Sequence, residues 1–150
     1  MSPINERLPL DAEARESLLQ EAPHCTFMWA TREGWPVGVT MSYLWERGSF
    51  WLITGHQQAR VAAVRRDPRV SIAITNGPRT LTVKGRCRLP KDPETRAWAY
   101  QAFAARQAEV APDLIDAKSF EQRLVRLEQA VLEVVPEIWI SYDGTQAPLS

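Results

Sequence analysis

Cysteine and histidine are scarce in this chain of 150 residues, which contains two of each. Two cysteines are too few for a disulfide scaffold or a thiolate zinc site. Cys25 and Cys87 each lie in a strand-like segment, which predicts buried, reduced thiols. His24 and His56 are far apart in the sequence and belong to no recognisable ligand set. We therefore expect no metal site.

The sequence also lacks an excess of charge and a long apolar run. Basic and acidic side chains number 18 each, so the net charge favours neither a nucleic-acid nor a membrane partner. No apolar run approaches the roughly 20 residues that span a bilayer. The first residues, MSPINERLPL, hold no apolar stretch of signal-peptide length. The sequence therefore predicts a cytoplasmic protein.

The composition is otherwise that of a globular protein, with 45% hydrophobic and 24% charged residues. A chain of this length suits one hydrophobic core. We find no internal repeat and no low-complexity linker, so we predict a single domain over residues 1–150.

Segments with alternating apolar residues dominate the first two thirds of the chain. Six strands are predicted, over Cys25 to Arg32, Pro36 to Trp45, Ser49 to Thr54, Arg69 to Thr75, Arg79 to Leu89 and Ala130 to Tyr142. Four helices are predicted, over Asp11 to Glu21, Gln57 to Arg66, Pro93 to Glu109 and Ser119 to Gln129. The turns between the first three strands are too short for crossover helices, so the sheet should be antiparallel. This order favours a mainly β (α+β) fold, a small antiparallel barrel with peripheral helices.

The second and fourth predicted strands each have two unlike faces. One face is apolar, as at Val39 and Ile72, and should fill the barrel. The other carries small or hydroxyl residues, as at Thr40 and Ala73. This second face either meets solvent or lies against a flat ligand or a second subunit, and the alternation alone leaves both interpretations open.

The stretch TGHQQAR, from Thr54 to Arg60, has the composition of a phosphate-binding corner. Thr54 offers a hydroxyl, Gly55 allows close approach of the backbone, and the first N–H groups of the following helix favour negative charge. Arg60 can add a bidentate contact. The alternative is an exposed helix arginine and a simple helix cap. His56, in the same turn, either contacts a ligand or is an exposed turn histidine.

Three segments together resemble a known family: GWPVGVTMSYLWERGSFWLIT, HQQARVAAVRRDPRVSIAIT and TLTVKGRCRL. They are similar to the pyridoxamine 5'-phosphate oxidase-like split-barrel proteins. The resemblance implies a six-stranded antiparallel split β-barrel and a homodimer. It also implies flavin mononucleotide (FMN) in a cleft between subunits, with the deazaflavin coenzyme F-420 or haem as alternatives.

The resemblance also implies roles for particular residues. Thr54 matches the family's phosphate-contacting threonine, and Arg60 matches a basic residue six positions later. The backbone of the second strand should run along the flavin, and Thr80 matches a position whose side chain reaches the ring system. The cofactor-binding residues implied are Val39, Thr40, Met41, Ser42, Ile53, Thr54, His56, Arg60 and Thr80.

Two departures separate the chain from the vitamin-B6 oxidases of that family. Those enzymes carry Arg and Lys at the positions of Val37 and Ser42, and an Arg-x-His near the C-terminus. This chain ends ISYDGTQAPLS, with neither Arg nor His. We therefore expect that it is not a true pyridoxine 5'-phosphate oxidase.

No Ser-His-Asp, paired-carboxylate or zinc pattern stands out, which fits chemistry carried by a cofactor. The sequence therefore predicts an FMN-dependent oxidoreductase that transfers a hydride to or from a small organic substrate, with no catalytic residue identified. The alternatives are a coenzyme F-420-dependent reductase and a non-catalytic flavin or haem binder. Lys84, Arg86 and Arg88 form either a solvated face or a basic wall suited to the polyanionic tail of coenzyme F-420.

Overall fold

The computed structural model describes residues 9–146, which form a curled antiparallel sheet flanked by helices. The strands are β1 (His24–Ala30), β2 (Pro36–Ser42), β3 (Leu44–Glu46), β4 (Ser49–Thr54), β5 (Arg69–Asn76), β6 (Arg79–Arg88) and β7 (Ala130–Asp143). The helices are α1 (Ala12–Glu21), α2 (Ala59–Arg66), α3 (Pro93–Val110) and α4 (Ala117–Arg126), followed by a 3-10 turn over Gly144–Gln146. Most of MSPINERLPL and the end of ISYDGTQAPLS lie outside the described residues.

The sheet is an open barrel. Its strand order is β2-β1-β5-β6-β7-β4-β3, and every neighbouring pair is antiparallel. The two outermost strands, β2 and β3, follow each other in the chain and are separated only by Tyr43. The sheet must therefore curl until its two edges approach each other. This confirms the predicted antiparallel barrel with peripheral helices.

The predicted strand count of six is wrong by one, because the segment Pro36 to Trp45 breaks at Tyr43. The Tyr43 hydroxyl donates to the carbonyl of Leu19 at 2.7 Å, which turns this ring into the barrel. Leu44 packs instead against the helices on the outside. The alternation, which Leu44 already interrupts in the sequence, changes sides at this point.

The barrel interior holds the larger of two hydrophobic cores. Residues from α1 and from strands β1, β4, β5, β6 and β7 fill it, including Leu19, Phe27, Phe50, Ile72 and Val83. The predicted inward face of β5 is therefore confirmed.

The inward face predicted for β2 is only half-buried at Val37 and Val39. The reason is that β2 is an edge strand, which pairs with β1 alone.

A second core lies outside the barrel, where α3 and α4 cover β3 and β4. Trp51 and Phe103 are buried there. Trp98 packs edge-on against Trp51, with 4.9 Å between the ring centroids. The Arg47 guanidinium stacks on the Trp98 ring, 3.5 Å from its centroid. Both faces of β4 are therefore buried, which holds in place the strand that precedes the turn from Gly55 to Gln58.

Three aspartates begin the longer helices. Asp11, Asp92 and Asp116 each accept a hydrogen bond from a backbone N–H three residues later. The helix predicted over Ser119 to Gln129 begins at Ala117 because Asp116 caps it. The prediction for Asp11 is confirmed.

Both cysteines are free and buried, as predicted. Burial raises the pKa of Cys25 and of Cys87 to about 12. Among residues 9–146, no group of three or more histidine, cysteine or acidic side chains could hold a metal ion. None of the helices in this range is long and apolar enough to cross a bilayer.

Candidate ligand-binding site

A cavity of about 310 Å³ lies between the ends of β2 and β4, the start of α2, and the pair of helices α3 and α4. It is lined by Met41, Ser42, Ile53, Thr54, Arg60, Phe103, Gln107, Ile115 and Phe120. Five of these nine residues are predicted cofactor-binding residues from three separate segments. The fold therefore gathers most of the predicted site into one place.

The polar centre of the cavity is the pair Thr54 and Arg60. The Arg60 Nε–H donates to Thr54 Oγ1 at 3.0 Å. Thr54 is only 6% exposed, since it is the last residue of β4, a strand that is buried on both faces. Arg60 lies in the first turn of α2, six residues later, and its side chain reaches back over that turn. The threonine accepts from the arginine and keeps its own hydroxyl proton for a ligand.

The start of α2 adds backbone donors to this corner. The helix begins at Ala59, two residues later than predicted, because Gly55 to Gln58 closes a turn in which Gln58 N donates to Gly55 O at 3.0 Å. The N-cap residue Gln58 makes no side-chain capping bond. Val61 N donates to the Gln58 carbonyl at 3.0 Å, so within the described residues the N–H groups of Ala59 and Arg60 are left for water or an anion.

Arg60 is a half-buried cation without a counter-ion. Within residues 9–146 it forms no salt bridge, and none of the nine residues that line the cavity is acidic. Burial lowers the pKa of the Arg60 guanidinium, although an arginine stays charged at neutral pH. A positive charge that is partly removed from water and not neutralised favours binding of an anion.

The rest of the cavity wall is apolar. Phe103 and Phe120 face each other from α3 and α4, with ring centroids 6.3 Å apart. Met41 and Ile53 line the barrel side, and Ile115 lies in the connection between the helices. Such walls exclude water and accept the uncharged part of a ligand.

Val39 and Thr40 do not line this cavity but lie immediately before it on β2. In the described part of the chain, β2 pairs only with β1, so its other edge is open. Backbone N–H and C=O groups on an open edge are available to a flat polar ligand. These two residues therefore remain compatible with the predicted cofactor contacts.

His56 and Thr80 lie elsewhere. His56 is exposed and borders a separate depression of about 650 Å³, together with Arg65, Lys91 and Arg96. Thr80 lies on β6, opposite Tyr142 of β7. The structure does not bring either of these two predicted residues to the cavity at Arg60.

Four residues that line the cavity come from α3, α4 and the connection between them, and sequence patterns did not predict them: Phe103, Gln107, Ile115 and Phe120. One signal was present. Gln107 follows Phe103 by four residues and Tyr100 by seven, so it occupies the apolar stripe of α3. A polar residue in such a stripe suggests either a hydrogen-bonded core position or a site.

Of the three residues considered for a basic wall on β6, Arg86 and Arg88 are neutralised by other residues of the protein, and Lys84 is not. Arg86 pairs with Glu137 at 2.8 Å, and Arg88 pairs with Glu133 at 2.8 Å. Glu133 is buried and also accepts from Ser49 at 2.7 Å. This leaves little free positive charge for a basic wall along β6.

The outer face of the sheet carries a row of uncharged residues across five strands. Cross-strand pairing places Thr40, Thr26, Ala73, Thr82 and Ile140 side by side. The next row ends in Ile138, and both isoleucines are about half exposed, at 53% for Ile138 and 50% for Ile140. The small-residue faces of β2 and β5 are thus parts of one continuous outer surface.

Comparisons with known proteins agree with this architecture. A conserved hypothetical protein from Mycobacterium tuberculosis superposes with a TM-score of 0.80 at 18% identity, covering 100% of this chain and 95% of that chain. An FAD-binding protein from Mesorhizobium loti gives 0.66 at 16% identity, covering 88% and 93%. A protein described as an F-420 reductase gives 0.63 at 16% identity, covering 83% and 94%. No curated protein matches the chain.

At these identities the solved structures establish the fold alone. The family is established by the sequence itself, because residues 10–141 match the protein family described as pyridoxamine 5'-phosphate oxidase. This match spans every strand of the open barrel except the last two residues of β7, and it includes all the cavity residues. The chain therefore belongs to the pyridoxamine 5'-phosphate oxidase-like split-barrel family.

Proposed function

We propose that the protein is an FMN-dependent oxidoreductase that transfers a hydride to or from a small organic substrate. The observation that carries this proposal is the half-buried, unneutralised Arg60 bonded to Thr54 in a cavity without acidic residues. A phosphate monoester is a dianion with several acceptor oxygens, and this donor set suits it. The chain belongs to a family that contains flavin-dependent oxidases, which suggests that the phosphate monoester is that of a flavin.

The residues present fit the phosphate end of such a cofactor. Arg60 supplies charge, Thr54 supplies a hydroxyl proton, and the uncapped start of α2 supplies backbone N–H groups. A cavity of about 310 Å³ suits the phosphate and the part of the cofactor next to it, so a flat ring system would extend outward along the open edge of β2. Bound flavin would supply the hydride chemistry.

The chain's own contribution is binding, orientation and exclusion of water. Apolar side chains would keep water away from the part of the cofactor that links its phosphate to its ring: Met41, Ile53 and the facing phenylalanines Phe103 and Phe120. The open β2 edge, at Val39 and Thr40, can hydrogen-bond the polar edge of a ring. No described residue needs to act as an obligatory acid or base in this scheme.

A homodimer is part of the proposal. The uncharged row that ends in Ile140 supports it, because an uncharged surface with half-exposed isoleucines is suited to burial against a second copy. The open edge of β2 borders this face, since Thr40 belongs to the row. A second copy would then cover a ring that lies along β2.

Specific observations weaken the two rival functions. Arg86 and Arg88 are paired with carboxylates, which leaves less free charge for the polyanionic tail of coenzyme F-420. The histidines that could ligate haem iron, His24 and His56, are both exposed and outside the cavity. The cationic positions that distinguish the vitamin-B6 oxidases are here Val37 and Ser42, so pyridoxine 5'-phosphate is not the expected substrate.

The visible spectrum and a titration test the proposal. The protein is reconstituted with FMN, coenzyme F-420 or haem, and the preferred ligand is identified by its absorbance and its dissociation constant. We expect FMN to bind tightest and its bound form to be reduced by a nicotinamide donor or by a candidate substrate. Preference for either rival ligand, or bound FMN that no donor reduces, would reject the assigned function. Efficient oxidation of pyridoxine 5'-phosphate would contradict the assigned substrate class.

A further inference from the structure

Gln107 is a buried polar residue that the fold leaves without a partner. It lies on the inward face of α3, 5% exposed, one turn beyond Phe103. Its amide nitrogen Nε2 is buried and has no hydrogen-bond partner in the described structure. The side chain lines the same cavity as Arg60 and Thr54. The cavity is therefore bordered by a donor that no group within residues 9–146 satisfies.

An unpaired buried amide works against folding. Its desolvation is not compensated, whereas an apolar side chain of similar shape would be neutral or stabilising at such a position. The neighbours of Gln107 on this face, Tyr100, Phe103 and Ala104, are buried and mostly apolar, so packing gives no reason for an amide here. A ligand that accepts a hydrogen bond from Nε2 would supply that reason.

The chemistry of the cavity identifies the kind of ligand. Arg60 and Gln107 Nε2 are donors, and the hydroxyls of Ser42 and Thr54 can also donate. No carboxylate is present in the lining to accept from a cation or a neutral donor. An anionic group with several acceptor oxygens matches this set.

We propose that Gln107 is a ligand-binding residue whose Nε2 donates to the phosphate group held by Arg60. This inference rests on the proposed function only in taking the ligand to be a phosphate monoester. It makes the pair of helices α3 and α4 part of the site, since α3 would supply a neutral donor and α4 an aromatic wall through Phe120. It also makes residue 107 a specificity position: an amide accepts the dianion, and a carboxylate there would repel it.

Two substitutions at this position separate a ligand contact from a structural role. In Gln107→Met the donor is replaced by an apolar chain of similar size, and in Gln107→Glu it is replaced by a negative charge of nearly the same shape. Gln101→Met is the matched control, because Gln101 is exposed on the same helix. Each variant is titrated with FMN, riboflavin and inorganic phosphate, and the melting temperature of each ligand-free protein is measured.

We expect Gln107→Met to weaken FMN binding by about 10- to 150-fold, the range of one hydrogen bond to a charged group. Gln107→Glu should weaken FMN binding by about 100-fold or more, because two like charges meet. Riboflavin, which lacks the phosphate, should bind all four proteins equally. Removal of the unpaired amide should raise the melting temperature of ligand-free Gln107→Met, whereas Gln101→Met should change neither property.

Three results would overturn the assignment. FMN affinity unchanged in Gln107→Met, together with a lower melting temperature, would make Gln107 a structural residue. Equal or tighter FMN binding by Gln107→Glu would mean that the amide does not donate to an anion. Failure of the parent to bind either FMN or inorganic phosphate would leave no phosphate for Gln107 to hold. By contrast, phosphate binding that depends on Gln107 without FMN binding would support the contact and reject the proposed function.

Discussion

Arg60 is the residue whose removal tests the proposed site most sharply. Substitution with alanine deletes the one cation among the described residues that line the cavity, and it leaves Thr54 Oγ1 without its donor at 3.0 Å. A hydrogen bond to a charged group contributes about 1.5–3 kcal/mol. Loss of one such bond should therefore raise the dissociation constant for FMN by about 10- to 150-fold.

Two companion variants show whether charge or geometry matters. Arg60→Lys keeps the positive charge but loses the planar fork, so it should weaken FMN binding less than Arg60→Ala does. Arg65→Ala is the matched control, since Arg65 is exposed on the same helix and does not line the cavity. It should bind FMN as the parent protein does.

The ligand-free proteins provide a second readout. Arg60 is half-buried and unneutralised, and burial lowers its pKa, so its charge contributes little or nothing favourable to the empty fold. Arg60→Ala should therefore melt within a few degrees of the parent protein. Fluorescence titration at fixed salt gives the dissociation constants. If Arg60→Ala binds FMN within twofold of the parent, the corner is only a helix start and the site assignment fails.

Three further predictions concern the frame around the site. Burial acts to raise the pKa of Glu133, but the hydrogen bonds from Arg88 and Ser49 outweigh it and lower that pKa below its ordinary value of 4.5. The stabilisation is therefore present above pH 4.5 and is lost as pH falls through the folded pKa. Glu133→Gln should cost about 1–3 kcal/mol at pH 7 and flatten the acid side of a stability-pH curve; an unchanged curve would contradict it. The pairing of β6 with β7 shifts register between Lys84 and Gly85, where a Cβ on Gly85 would collide with the carbonyl oxygen of Val135. Gly85→Ala should therefore cost about 1–3 kcal/mol in denaturant unfolding, and a neutral result would mean that this β-bulge is adaptable. Ile140→Lys should convert a dimer to single chains in sedimentation, whereas a parent that is already a single chain would refute the proposed dimer.

Local patterns carry most of the fold. Strand β5 alternates without interruption, and its inward residues, such as Ile72, are buried as their spacing predicts. Asp11 caps α1 because its carboxylate needs only a backbone N–H three residues away. Such features depend on neighbours in the chain, so the sequence alone reveals them.

The features that sequence patterns did not predict depend on contacts between distant segments. The break at Tyr43 arises from a hydrogen bond to Leu19, 24 residues earlier. Gln107 reaches the cavity of Arg60 only because α3 folds back over β4, which no local period indicates. His56 is close to Arg60 in sequence, yet the turn directs it to a different depression.

The central claim is that the cavity between β4, α2 and α3 holds the phosphate of a flavin. A crystal structure of the protein reconstituted with FMN tests it most directly. The account predicts phosphate oxygens within hydrogen-bond distance of the Arg60 guanidinium, Thr54 Oγ1 and Gln107 Nε2, with the ring along the open edge of β2. A phosphate bound beside His56, or a flavin bound away from Arg60, would contradict it.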